Sequence, residues 1–183
     1  MRLPLHPHPA TPCPAVDAIT VEVVRPAPDR LMLTYGIAGR VDALRWPAPT
    51  APARADGLWR HTCCEAFFRD HGGEGYLEFN LSPSTAWAAY RFDAYRSGMR
   101  EADDVAAPAI EIRRDAGRVT LRATLTLGHL ATTSADAPLR LGLSAVIEDT
   151  DGRLAYWALA HPPGRPDFHH ADGFAAALPP CTA

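Results

Sequence analysis

One stretch of the chain, WRHTCCEAFFRDHGGEGYLEFNLSPSTAWAAYRFDAYRSGM from Trp59 to Met99, gathers most of the side chains that could recognise a small molecule. Glu65, Glu78, Asn80 and Arg91 supply hydrogen-bond acceptors and donors, while Trp59, Tyr76 and Trp87 supply flat apolar faces. This mixture suits a sugar, whose C–H faces stack on aromatic rings and whose hydroxyls pair with carboxylates, amides and guanidinium forks. A solvated sheet face with Glu–Arg cross-strand pairs uses the same residues, each pair contributing roughly tenths of a kcal/mol. Two carboxylates are also the equipment of a glycosidase, and His61 with Cys63 offers a thiol–imidazole pair. The sequence shows no strand-to-helix elbow, no oxyanion glycine pair and no third orienting residue, so the reading is a noncatalytic binding site.

The chain has eight histidines. His6 and His8 fall in a proline-rich segment where exposure is expected, whereas His161, His169 and His170, beside Asp167 and Asp172, form the densest group of potential metal ligands. Adjacent residues on a strand rarely ligate one ion, and no metal or other cofactor is expected.

The elements that must position these residues read as strands. Leu31 to Ile37, Val119 to Leu127 and Leu139 to Ile147 alternate apolar and polar residues with a period of two. Asp149-Thr150-Asp151-Gly152 is a reversal leading into Ala155 to His161, a hairpin rather than a calcium loop because further oxygen ligands are missing. The Trp59–Met99 stretch itself reads as three antiparallel strands with a glycine-rich turn at His71 to Gly75. On the second strand Leu77, Phe79 and Leu81 form one face, so Tyr76, Glu78, Asn80 and Ser82 look the other way. Helical patterning is confined to short pieces near Ser84 to Ala89 and Ala171 to Leu178. The expectation is an all-β, jelly-roll-like, two-sheet antiparallel sandwich: a proline-rich N-terminal arm, residues 1–16, and one domain, residues 17–183.

A chain of 183 residues that is 47% apolar supports one hydrophobic core. Its formal charge of −3, without long runs of either sign, argues against a phosphate-binding nucleic-acid surface. No window approaches the roughly twenty apolar residues of a membrane helix. No secretory signal is legible, so a cytoplasmic location is expected. Cys13, Cys63, Cys64 and Cys181 lack the CxxC spacing of zinc or redox sites and read as free thiols.

LWRHTCCEAFFRD, YLEFNLSPSTAWAAYRFDAYRSGM, LSAVIED and YWALAHPPGRPDFHH together resemble a bacterial DOMON-like domain related to family 9 carbohydrate-binding modules, over about Leu58 to His170. The resemblance implies a β-sandwich whose relatives bind sugars or haem. From the sugar-binding relatives it carries over a W-x5-E arrangement onto Trp59 and Glu65, with Trp157 or Phe168 as the second aromatic wall. The implied partner is a small sugar or glycan. From the haem-binding relatives it carries over an axial methionine followed by a histidine, here Met99 with His161, His169 or His170.

Overall fold

Alternating apolar and polar side chains settle as pleated strands wherever one face can be buried. In the computed structural model, which describes residues 1–69, 73–127 and 139–178, this patterning yields twelve strands among the described residues. They are β1 Arg2–Pro7, β2 Val16–Ala27, β3 Arg30–Gly39, β4 Cys63–Arg69, β5 Tyr76–Leu81, β6 Trp87–Phe92, β7 Arg100–Glu101, β8 Ala109–Asp115, β9 Arg118–Thr126, β10 Arg140–Glu148, β11 Leu154–Ala158 and β12 Ala176–Ala177. Part of the expected glycine-rich turn, residues 70–72, and Cys181 lie outside the described residues.

Eleven strands follow one hydrogen-bonded path in the order β7-β6-β5-β4-β10-β11-β1-β2-β3-β9-β8, and β12 adds to the end of β10. Every strand pairing is antiparallel. The expected all-β antiparallel character is present, but the division into two sheets gives way to a single, strongly curled one. The cause is β1. Arg2 to Leu5 pair with β2, and His6 and Pro7 pair with β11, so the segment expected to be an arm joins the two halves. Irregularities in β2 between Val16 and Ala18 and between Val24 and Ala27 add local twist. His8, expected to be exposed, is 2% accessible, and its backbone N–H donates to the Tyr156 carbonyl at 2.8 Å.

The curl encloses one core. Val21, Leu33, Tyr35 and Leu121 from one half meet Phe68, Phe79, Leu81 and Leu143 from the other. The Tyr35 hydroxyl crosses between the halves and donates to the Glu65 carbonyl at 2.7 Å. Removing such apolar area from water is the main favourable term in folding.

On the outer face of β4, β5 and β6 a second apolar cluster forms from Phe67, Tyr76, Ala88, Tyr90, Phe92 and Phe174. The chain after β11 folds over this face, which leaves β5 buried along its whole length. The two short pieces with helical patterning become the beginning of β6 and a 3-10 turn, Ala171–Gly173, followed by β12. No helix among the described residues is long and apolar enough to cross a membrane.

Candidate functional site

Strand register sets the floor of the site. Asn80, Glu65, Ser144 and Ala158 lie side by side across β5, β4, β10 and β11. The adjacent row is Tyr90, Glu78, Phe67 and Gly142, and on the other side of Glu65 comes Cys63, Val146 and Tyr156. Glu65 and Glu78 are therefore diagonal neighbours on one face, close enough for long side chains to interact. Gly142 lets the covering loop approach the sheet closely, since a Cβ there would stand 3.1 Å from the Gly173 carbonyl.

Above this floor is a cavity of about 1000 Å³. Glu65 and Glu78 line it from below, Trp59 and Met99 border one side, and Tyr156, Phe168, His169 and Arg96 stand among its walls. Trp59 sits in a 3-10 turn, Leu58–Arg60, just after Gly57, whose φ of 73° is left-handed backbone that glycine adopts readily. The turn is tied down at its end by His61, whose Nδ1 is 2.7 Å from Glu148 Oε2. The Trp59 ring leans edge-on against Tyr90 at 6.0 Å, and Phe168 leans against Tyr156 at 5.8 Å.

The two floor carboxyls are 3% and 5% accessible, Glu65 and Glu78 respectively. Glu65 Oε2 accepts from the Ser144 hydroxyl at 3.2 Å, and Glu78 Oε1 accepts from the Asn80 amide at 2.6 Å. Burial, reinforced by the charge of Glu78, pushes the Glu65 carboxyl well above the ordinary carboxylate range. Burial pushes Glu78 up to about 7, with the Asn80 hydrogen bond and the Arg96 charge holding it back. At neutral pH the pair thus retains proton-donating as well as accepting capacity.

His169 completes the polar wall. Burial, then the charge of Arg96, bring it down to about 4, so its ring is neutral. The Arg96 backbone N–H donates to the Tyr76 hydroxyl at 3.2 Å, and the hydroxyl lies 2.8 Å from His169 Nδ1. On the other side of the ring, His169 Nε2 faces Glu78 Oε2 at 3.9 Å. Arg96 has φ of 51°, an uncommon conformation for a residue with a side chain, and its guanidinium is bound to Asp167 at 2.8 Å.

Trp59, Glu65, Glu78 and Phe168 are thus brought to one cavity, and Asn80 supports it through Glu78. The structure places three other candidates elsewhere. Arg91 pairs with Leu77 across the ladder, on the face opposite Glu78, and its Nε and Nη2 bind Asp104 at 3.0 and 2.5 Å. Trp87 belongs to the inner core with the Arg54 guanidinium 4.6 Å over its ring. Trp157 also points into the core, and its buried Nε1 has no hydrogen-bond partner among the described residues. Tyr156, Arg96 and Tyr95 were not among the expected site residues. The signal for Tyr156 was available, because a period-two strand that turns Ala155 and Trp157 inward must turn Tyr156 outward.

The thiol and haem alternatives meet specific obstacles. Cys63 is fully buried, its thiol is pushed upward by burial, and His61 is bound to Glu148 instead. Met99, His169 and His170 all border the cavity, and Nδ1 of His169 is engaged with the Tyr76 hydroxyl. His170 Nδ1 accepts from the Asp172 backbone at 3.3 Å, and His161 Nε2 donates to the His6 carbonyl at 2.8 Å, outside the cavity lining. With two carboxyls on the floor, the cavity is a polar one. Among the described residues no group of three or more His, Cys, Asp and Glu is arranged to hold a metal ion.

No family model and no curated protein matches the chain. Among solved structures it is similar to one from Bacteroides uniformis described as a "putative carbohydrate-binding protein", with a TM-score of 0.57 and 14% identity, over 94% of this chain and 83% of that one. At this identity the likeness is one of fold.

Proposed function

We propose that the protein binds carbohydrate, without catalysing a reaction, in the cavity above β4, β5, β10 and β11. The observation that carries this reading is the joining, in one cavity of about 1000 Å³, of two buried carboxyls on the floor with Trp59, Tyr156 and Phe168 around them. Aromatic faces take the C–H surface of a pyranose, and partly protonated carboxyls both donate to and accept from its hydroxyls. The fold likeness and the sequence resemblance to DOMON-like and family 9 carbohydrate-binding domains support the same reading. In that view the curled sheet corresponds to the family's sandwich, its two layers joined by β1.

A glycan-array screen followed by calorimetry tests the proposal. Trp59→Ala should weaken binding more than tenfold while the protein melts as the wild type does, since Trp59 is 36% accessible and leaves no core cavity. Glu65→Gln keeps the shape of a neutral carboxyl, so its expected cost is about 1 kcal/mol, or roughly fivefold in affinity. Absence of binding to any glycan, or full binding by the Trp59 variant, would refute this assignment of the site.

A further inference from the structure

A buried carboxyl keeps its charge only beside a cation or several hydrogen-bond donors. Glu65 and Glu78 have few of either. Glu65 Oε2 accepts from the Ser144 hydroxyl and Glu78 Oε1 from the Asn80 amide, but the second oxygen of each, Glu65 Oε1 and Glu78 Oε2, has no hydrogen bond among the described residues. Both side chains line the cavity although they are only 3% and 5% accessible. As diagonal neighbours on one face of the β4–β5 pair, they present these oxygens on the same side of the sheet.

No cation of the chain itself answers them. All 18 residues of the lysine and arginine class are arginines, so the protein has no lysine ammonium to offer, and its N-terminal ammonium is bound to the Val23 carbonyl. Of the arginines that line the cavity, Arg96 is ion-paired with Asp167 at 2.8 Å and Arg165 is exposed on the covering loop. Neither forms an ion pair with Glu65 or Glu78 among the described residues. His169, 3.9 Å from Glu78, has a ring kept neutral by burial and by the charge of Arg96. The rise of both carboxyls, which the Arg96 charge only partly holds back, is what burial without an adjacent counter-charge produces. Trp59, Tyr156 and Phe168 border the same space, and an aromatic face attracts a cation as well as C–H groups.

We infer that the cavity is selective for an amino sugar, a hexose whose ammonium group supplies the missing cation at Glu65 and Glu78 while its ring lies among the aromatic walls. This rests on the carbohydrate-binding reading above and deepens it from sugars in general to cationic ones. An ammonium group carries three donors, enough to serve Glu65 Oε1 and Glu78 Oε2 together. Its arrival favours the ionised carboxyls, and any proton that they hold passes to solvent. The hydrogen bonds that form are then charge-assisted, the stronger kind. A hydroxyl in the same place brings one donor and no charge, so the carboxyls discriminate by charge rather than by shape.

Calorimetry on the full chain at neutral pH tests the inference by comparing glucosamine, galactosamine and mannosamine with their parent hexoses and with their N-acetylated forms, which keep the ring and lose the charge. One amino sugar should bind at least about tenfold tighter than both of its neutral counterparts. The double variant Glu65→Gln, Glu78→Gln, its folding checked by urea unfolding, should bring that ratio to within about twofold of one. Neutral hexoses that bind the wild type as tightly as the amino sugars, or more tightly, would overturn the inference and leave the carbohydrate-binding reading intact, and that comparison needs no variant. A folded double variant that keeps the whole preference would overturn it as well. If neither the amino sugars, nor the neutral ones, nor any glycan of the array binds, the inference falls together with the reading on which it rests.

Discussion

Glu78 and His169 face one another across 3.9 Å, and burial moves them in opposite directions: the carboxyl up to about 7 and the imidazole down to about 4. Between its ordinary 4.5 and about 7, Glu78 holds a proton in the folded protein that the unfolded chain has released, so its contribution to stability falls as pH rises through that window. Between about 4 and its ordinary 6.5, His169 lacks a proton that the unfolded chain has bound, so its contribution falls as pH drops. The slopes oppose each other and offset over the shared range, under the common influence of Arg96, Asp167, Tyr76, Asn80 and Glu65. Glu65, also raised by burial, acts in the same sense as Glu78, so the double variant Glu65→Gln, Glu78→Gln should leave the histidine slope, a loss of roughly 1–3 kcal/mol on going from pH 7 to pH 4.5. His169→Asn should leave the opposite slope, with stability falling by a similar amount as pH rises over that range. Urea unfolding at a series of pH values measures both, and flat profiles in both variants would contradict the assignment. The sequence showed that Glu78 and Asn80 share a face of β5 opposite Leu77, Phe79 and Leu81, and it offered Glu65 to the same face on the condition that the strands are neighbours, which the pairing of β4 with β5 meets. Arg91 was misplaced because only the register, Leu77 opposite Arg91, tells which face of β6 meets which face of β5.

At the scale of elements, strands with clean alternation were legible: β3, β9, β10 and the β10–β11 hairpin fall within a few residues of expectation. Two elements were not. The 3-10 turn that presents Trp59 has no periodicity to reveal it, only the Gly57 that starts it. β1 was hidden by Pro4 and Pro7, residues that weaken any strand assignment because they donate no backbone hydrogen bond. Yet β1 pairs on both sides: Leu5 is buried in the core, and the N-terminal ammonium group donates to the Val23 carbonyl at 2.7 Å. Deleting residues 1–8 exposes the paired edges of β2 and β11 and removes Leu5 from the core. The deletion should cost at least about 3 kcal/mol by the usual values for several hydrogen bonds and a buried leucine. The urea midpoint measures this, and a truncated chain as stable as the full one would show that β1 is an arm after all.

For the molecule as a whole, the site depends on both halves of the curl although the cavity lies on the outside of only one. β4 carries Glu65 outward and Cys64, Ala66 and Phe68 inward, so the strand that positions the floor carboxyl is also a central strand of the core. Nothing in the local pattern could reveal this, since β4 and β5 read as half-buried strands and only the folded-over loop buries their outer face. Tyr35 provides a direct link, reaching from β3 across the core to the Glu65 carbonyl. Burial pushes its phenol well above the ordinary value, so the hydroxyl keeps the proton that it donates. Tyr35→Phe removes one oxygen atom without opening a large cavity and leaves a buried carbonyl with one acceptor position fewer satisfied. Its expected cost in stability is about 1–2 kcal/mol. Since the neighbouring ladder from Cys63 to Arg69 still holds β4 between β5 and β10, the Glu65 side chain should stay in place and glycan affinity should change less than about twofold. Urea unfolding and calorimetry on the same preparation separate the two effects. A Tyr35 variant of full stability but sharply reduced affinity would show that the core hydroxyl serves chiefly to aim Glu65 into the cavity.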